Sequence, residues 1–154
     1  MPIEFRRATM NDAAVVARYA ADMALETENL QLDRDRVRRG VESALEDSSK
    51  GFYLLAIADG AVAGQAMVTF EWSDWSNGMR WWLQSVYVHP YFRRRGIFRA
   101  LFQSLQTLAQ AEGTVCCFRL YVERDNRGAQ AVYQKLGFRE THYSLYELDL
   151  PRNS

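Results

Sequence analysis

A chain of 154 residues, 48% hydrophobic and 25% charged, is sized for one hydrophobic core, so a single domain over residues 1–154 is expected. Its 19 Lys+Arg balance 19 Asp+Glu, which leaves no global field to recruit nucleic acid or an anionic membrane; any anion must be held by arranged groups. No apolar run approaches bilayer-spanning length and the opening MPIEFRRATMND carries no apolar segment after a basic one, so a cytoplasmic location is expected.

Taken in order, Ile3 to Ala8 reads as a first strand. Thr9, with Asp12 three positions on, makes a capping-box-like start for a helix through Val15, Val16, Tyr19 and Met23. A second helix is predicted from Asp33, whose short carboxylate can cap it, through Val37, Val41 and Leu45. The stretch MALETENLQL, with Glu26 and Glu28, is read as the connection between them.

GFYLLAIADGAVAGQAMVTFEW gives two apolar strands turning at Asp59 and Gly60, residues that tolerate positive φ. After a polar turn from Ser73 to Gly78, WWLQSVYVHP reads as a long strand. Simple alternation puts Trp82, Gln84, Val86 and Val88 on one face and Trp81, Leu83, Ser85 and Tyr87 on the other, and Pro90 ends it. Ile97, Leu101, Leu105 and Leu108 then stripe a helix that runs to Gly113. TVCCFRLYVE is another strand, in which Cys116 and Cys117 point to opposite faces and read as small packing residues, neither a metal pair nor a disulfide. Asn126 opens a short helix with Ala129, Val132, Tyr133 and Leu136 on one side, and Gly137 closes it. The tail from Phe138 to Leu150 alternates and reads as a final strand pair.

The chemistry concentrates where VHPYFRRRGIFRALF passes from strand through a basic loop into a helix. The first amides of a helix lack internal acceptors and sit at the positive end of its dipole, an arrangement suited to phosphate. Gly96 permits positive φ and lets a ligand oxygen approach the main chain. The sequence NRGAQAVYQKLGF repeats the pattern of a helix starting directly after a strand.

Over nearly its whole length the chain resembles the GCN5-related N-acetyltransferase family. Its acetyl-CoA loop, written Q/RxxGxG/A, is matched by Arg93, Arg94, Arg95, Gly96, Ile97 and Phe98, with Phe98 where a glycine or alanine is usual. Its later motif is matched by Asn126, Ala129, Tyr133, Gly137 and Phe138. The resemblance implies an α/β fold with a mixed, mostly antiparallel sheet flanked by helices on both faces, splayed between WWLQSVYV and FRLYVE. It implies acetyl-CoA as co-substrate, with no metal. The backbone of Val86, Tyr87 and Val88 would line the pantetheine arm, which Val86 and Val88 would pair as an added strand does. Arg93, Arg94, Arg95, Gly96, Ile97, Phe98, Arg99 and Ala100 would cradle the pyrophosphate, and Asn126, Ala129 and Tyr133 would complete the coenzyme site.

Transfer to an amine needs a neutral nucleophile, and an amine of pKa about 10.4 costs about 4–5 kcal/mol to deprotonate at pH 7. Glu71, Glu26 and Glu28 are the candidate bases, a water the alternative. Tyr133 is placed at the leaving thiolate, and a backbone amide at a bulge in QSVYV at the oxyanion. Glu26, Glu71, Trp72, Asp74 and Trp75 offer carboxylates and rings to a small cationic amine, the expected acceptor. The alternatives are a non-catalytic acyl-CoA sensor, a longer acyl-CoA, or a protein amine. Exposed strand edges and the tail pair could support a homodimer.

Overall fold

The computed structural model describes residues 2–152, which group into two compact units that divide between Tyr121 and Val122. The first holds one sheet. Strands β1 (Ile3–Arg7), β2 (Phe52–Ala58), β3 (Ala61–Ser73) and β4 (Gly78–Val88) lie antiparallel in chain order, and β5 (Val115–Arg119) joins β4 in parallel. A parallel neighbour requires a crossover, which α3 (Ile97–Glu112) supplies. The β2–β3 hairpin turns at Asp59 (φ 53°) and Gly60 (φ 75°), the pair of left-handed residues that a tight twisted hairpin needs.

Ahead of α1 (Ala13–Glu28) sits a 3-10 turn, Met10–Asp12, that carries the expected capping residues. The Asp12 carboxylate accepts from the Thr9 amide at 2.7 Å and from both terminal nitrogens of Arg6 at 2.8 and 2.9 Å. These donors hold its pKa below the usual carboxylate range, the Arg6 bond first among them. The helix runs further than expected. Met23 to Glu28 contains no breaker, so Glu26 and Glu28 sit in the last turns of α1, and the helix ends where Asn29 turns left-handed (φ 50°). Helix α2 (Arg34–Glu46) starts as expected, with the Asp33 carboxylate accepting from the Arg36 amide at 3.1 Å.

Register decides which helix each face meets. Tyr53 and Leu55 of β2 pack with Val16, Ala17, Val41 and Ala44 of α1 and α2, and Met67 of β3 joins them. Gln65, on that same face, donates from Nε2 to the Val16 carbonyl at 3.1 Å. Phe52, Phe70 and Trp81 lie on the other face, where Phe118 bridges Trp81 to Phe102 of α3 with ring centroids 6.0 and 5.5 Å apart.

In β4 the expected strict alternation fails. Met67 pairs with Ser85 but Val68 pairs with Leu83, so Gln84 is an extra residue, a bulge. A bulge changes the phase of everything beyond it. Tyr87 and Ser85 therefore share the α1 face with Trp82, while Val86 and Val88 join Trp81 and Leu83 on the α3 face.

The second unit contains α4 (Arg127–Lys135), capped by Asn126, whose Oδ1 accepts from the Ala129 amide at 3.1 Å, and followed by Gly137 at φ 101°. The strand pair expected from Phe138 to Leu150 is absent: no described residue there lies in a strand. A sequence alternation makes a strand only where a ladder partner satisfies its backbone. Among the described residues, no helix is long and apolar enough to cross a membrane.

Asp12→Asn is expected to lower stability at pH 7 by about 1 kcal/mol or more, through loss of the capping and charge-assisted bonds. Because the folded-state pKa is lowered, the wild-type advantage is complete above the ordinary carboxylate pKa. It should shrink as pH falls toward and through the lowered value. Urea unfolding at pH 7 and pH 3 measures both.

Candidate active site

The site begins with the main chain of β4. The His89 amide donates to the Ala63 carbonyl at 2.9 Å, and the Tyr87 carbonyl also faces β3, where a Cβ on Gly64 would lie 2.8 Å from it. Backbone direction alternates along an antiparallel strand, so Val86 and Val88 direct N–H and C=O to the opposite side. On that side β5 has already stopped, its last pair with β4 being Trp82 with Arg119. Among the described residues, Leu83 to Val88 thus has no strand neighbour along this edge.

The edge leads into the start of α3. Arg94 (φ 66°) and Gly96 (φ 75°) are both left-handed, and no side chain caps the helix. The first bond of the helix runs from the Ala100 amide to the Gly96 carbonyl at 3.0 Å, and amides ahead of it have no acceptor within the helix. A Cβ at Gly96 would meet nothing within 4 Å. Donors, dipole and open approach together fit a phosphate group. Arg95 lies over the rings of Tyr91 and Phe92 at 5.1 and 5.6 Å. Phe98, the residue that departs from the motif, is half-buried on the first turn.

Two carboxylates mark the two ends of the α1 face of β4. At one end Glu26 receives Arg93 Nη2 at 3.0 and 3.1 Å, while Arg93 Nε donates to the Val88 carbonyl at 2.8 Å. The Tyr87 phenol beside them is pushed up to about 12, first by burial and then by its hydrogen bond with Glu26. At the other end Glu71 accepts from Arg80 at 2.7 Å and from the Trp82 indole at 2.8 Å, with Arg119 3.5 Å away. The Arg80 and Trp82 bonds hold its pKa low. Arg80 and Tyr87 are separated by roughly 20 Å at about 3.3 Å per strand residue, so the carboxylates do not share one pocket.

Other expected site residues scatter. Trp72 pairs with Met79, which places it on the face opposite Glu71; Trp75 is 90% exposed, and Asp74 is exposed in the same turn. Glu28 is exposed at the end of α1. Of the four tryptophans, Trp82 is the one bonded to Glu71, and it stacks on Tyr121 with centroids 4.5 Å apart. In the second unit Asn126 spends its Oδ1 on the Ala129 amide, and Tyr133 lies edge-on to Phe138 at 5.6 Å with its phenol pushed up by burial. Sequence reasoning missed Arg80, Trp82, Arg119 and the inward turn of Arg93. The first two were within reach: counting outward from the Ser73–Gly78 turn pairs Arg80 with Glu71.

A phosphate-suited helix start fed by a strand with one open edge fits the acetyl-CoA loop that the resemblance implies. The model of the acetyltransferase (GNAT) family matches residues 16–138, and the chain belongs to that family. An aminoglycoside N(6')-acetyltransferase type 1 from Acinetobacter genomosp. 13 is 31% identical over 121 residues, 74% of this chain and 80% of that protein. The crystal structure of a possible acetyltransferase from Clostridium difficile 630 superposes with a TM-score of 0.93 at 39% identity, covering 99% of this chain and 100% of the other. The aminoglycoside N-acetyltransferase AAC(6')-Iy, solved with CoA, shares the fold at a TM-score of 0.78 and 19% identity, over 96% of this chain and 95% of its own. The expected mixed, mostly antiparallel sheet and the acetyltransferase class both hold.

The Tyr87 assignment can be checked by titration. Its phenol, identified by the NMR signal lost in Tyr87→Phe, is expected to remain protonated beyond the ordinary value near 10. In Glu26→Gln the midpoint should move down, because the carboxylate no longer favours the protonated phenol. An unmoved midpoint would separate the two side chains.

Proposed function

We propose that this acetyltransferase moves the acetyl group of acetyl-CoA to a primary amine of a small cationic acceptor by direct attack. The observation that carries the reading is the continuity of the open β4 edge with the uncapped start of α3. Main-chain groups of Val86 and Val88 pair the pantetheine, and amides from Arg94 to Arg99 hold the diphosphate, with Gly96 allowing close approach; the expected Ala100 amide is already taken by the Gly96 carbonyl. Asn126 and Ala129 are assigned to the coenzyme by the family motif. Acetyl-CoA supplies the activated thioester.

The protein's own groups then do three things. The Gln84 bulge turns main-chain donors out of the ladder, and one of them is assigned to the developing oxyanion. Tyr133 donates a hydrogen bond to the departing sulfur. Full proton transfer from an ordinary phenol to a thiolate is already uphill by about 2 kcal/mol, and burial raises this phenol further. Glu71 and Glu26 supply negative potential along the face that the amine approaches. Glu71 suits an anchor better than a base, since three donors lower its affinity for a proton. The amine proton is assigned to water, with the exposed Glu28 within reach of solvent.

Aminoglycosides head the panel of amines to be tested, because the curated relative acts on that class and such molecules are cationic amines. Acetyl-CoA with a thiol reagent should show amine-dependent CoA release for at least one polycationic amine. Release that no amine accelerates would leave a coenzyme-binding protein in place of a transferase. Gly96→Glu should abolish acetyl-CoA binding in calorimetry while the fold survives. For Tyr133→Phe, kcat is expected to fall at least about tenfold with the acetyl-CoA Kd nearly unchanged; equal turnover would remove the phenol from the chemistry.

A further inference from the structure

The last acceptor on the open edge of β4 is taken by the chain itself. Tyr87 and His89 turn main-chain groups toward β3, so the Val88 carbonyl faces the edge that has no strand neighbour among the described residues. Arg93 Nε donates to that carbonyl at 2.8 Å. The same guanidinium is held from the α1 side, where Nη2 donates to both Glu26 oxygens at 3.0 and 3.1 Å and Cζ lies 5.6 Å from the centroid of the Tyr87 ring. Both Arg93 and Glu26 are exposed, so the contact can open without disturbing the core.

An unpaired strand edge is a template for any extended chain, and a charged side chain laid across it blunts that tendency. Here the blunting group covers an acceptor that a productive ligand also needs. The two uses compete.

We propose that Arg93 is a stand-in for the coenzyme: it occupies the Val88 carbonyl in the free enzyme and gives it up when the pantetheine amide arrives, which also releases its hold on Glu26. This rests on the coenzyme reading above, in which Val88 pairs the pantetheine. No covalent bond changes, since one N–H···O contact replaces another. Nε and Nη2 belong to one rigid plane, so a guanidinium turned away from Val88 cannot keep Nη2 between the Glu26 oxygens. A cationic amine therefore meets an unpaired Glu26 only once the coenzyme is seated. That is a coupling between the two sites, carried by one side chain.

The sign of the effect tests it. An arginine that grips phosphate weakens coenzyme binding when it is replaced, whereas one that competes for the edge strengthens it. Arg93→Lys keeps the charge and puts a single nitrogen in place of the fork. Calorimetry with CoA should give a Kd lower than wild type by about twofold to tenfold, the span of one net hydrogen bond. Glu26→Gln, which cuts the tether at its other end, should also tighten CoA, and the double variant should be no tighter than Arg93→Lys alone. In the wild-type NMR spectrum the Arg93 Nε–H signal, identified by its loss in Arg93→Lys, should move when CoA is added. Should Arg93→Lys unfold, Glu26→Gln carries the test, because its side chain is exposed on α1. Weaker or equal CoA binding by either folded variant, or an Nε–H signal that CoA leaves in place, overturns the inference. Gly96→Glu tells this apart from failure of the coenzyme reading: loss of CoA binding in that variant upholds the reading whatever Arg93 does, and CoA bound as tightly as by wild type sinks both.

Discussion

β4 pairs with β3 along its whole length but with β5 only from Met79 to Trp82, and the unpaired remainder of that second edge is what a ligand can use. A strand edge holds its N–H and C=O groups in fixed directions at no further conformational cost, so an extended ligand meets donors and acceptors already arranged. The Gln84 bulge lies two residues past the last β5 pair. It rotates the strand's phase so that Tyr87 turns toward Tyr19 of α1, ring centroids 5.2 Å apart, while Val88 turns toward α3. Without the extra residue, Tyr87 would point into the α3 side, away from Tyr19 and from the Glu26 carboxylate that helps raise its pKa.

Charge in the site is arranged more for holding than for proton transfer. A carboxylate with three donors around it gains little from accepting a proton, because protonation forfeits charge-assisted bonds each worth about 1.5–3 kcal/mol. Glu71 is in that position, with Arg80, Trp82 and Arg119 around it. The chemistry it can perform is therefore electrostatic. Tyr133 is subject to the same logic with the sign reversed: burial favours the neutral phenol, which keeps the proton on oxygen and available to donate.

Most of the architecture was legible because it follows from local rules. The Asp33 cap, the Asp59–Gly60 turn, the stripe from Ile97 to Leu105 and the Asn126 to Gly137 helix each carry their own signal. The left-handed Gly96 at the start of α3 was legible for the same reason. Three features were not, and each depends on a partner distant in sequence. A bulge in QSVYV was expected and β4 has one at Gln84, but the phase shift it imposes is a property of two strands, and strict alternation read from one strand put Tyr87 on the wrong face. Trp72 looked like a companion of Glu71 because it is adjacent, whereas adjacent strand residues face apart; the companion is Trp82, eleven positions away. The tail from Phe138 carries the pattern of a strand without the neighbour that would make it one.

Arg93 shows how a motif residue can serve the fold and the site at once. As the first arginine of the loop it would be expected to offer charge to a phosphate, yet its guanidinium turns back, bonding the Val88 carbonyl through Nε and Glu26 through Nη2. An ion pair with side chains 44% and 39% exposed contributes no more than about 1 kcal/mol, too little to explain the arrangement by stability alone. Its consequence is geometric. One planar group ties the end of β4, the loop before α3 and the last turns of α1 together, and so links the backbone proposed for the phosphate to the carboxylate proposed for the acceptor side. In the proposed coenzyme site the anion is therefore left to the main chain and the helix dipole, where Arg94 and Gly96 are both left-handed.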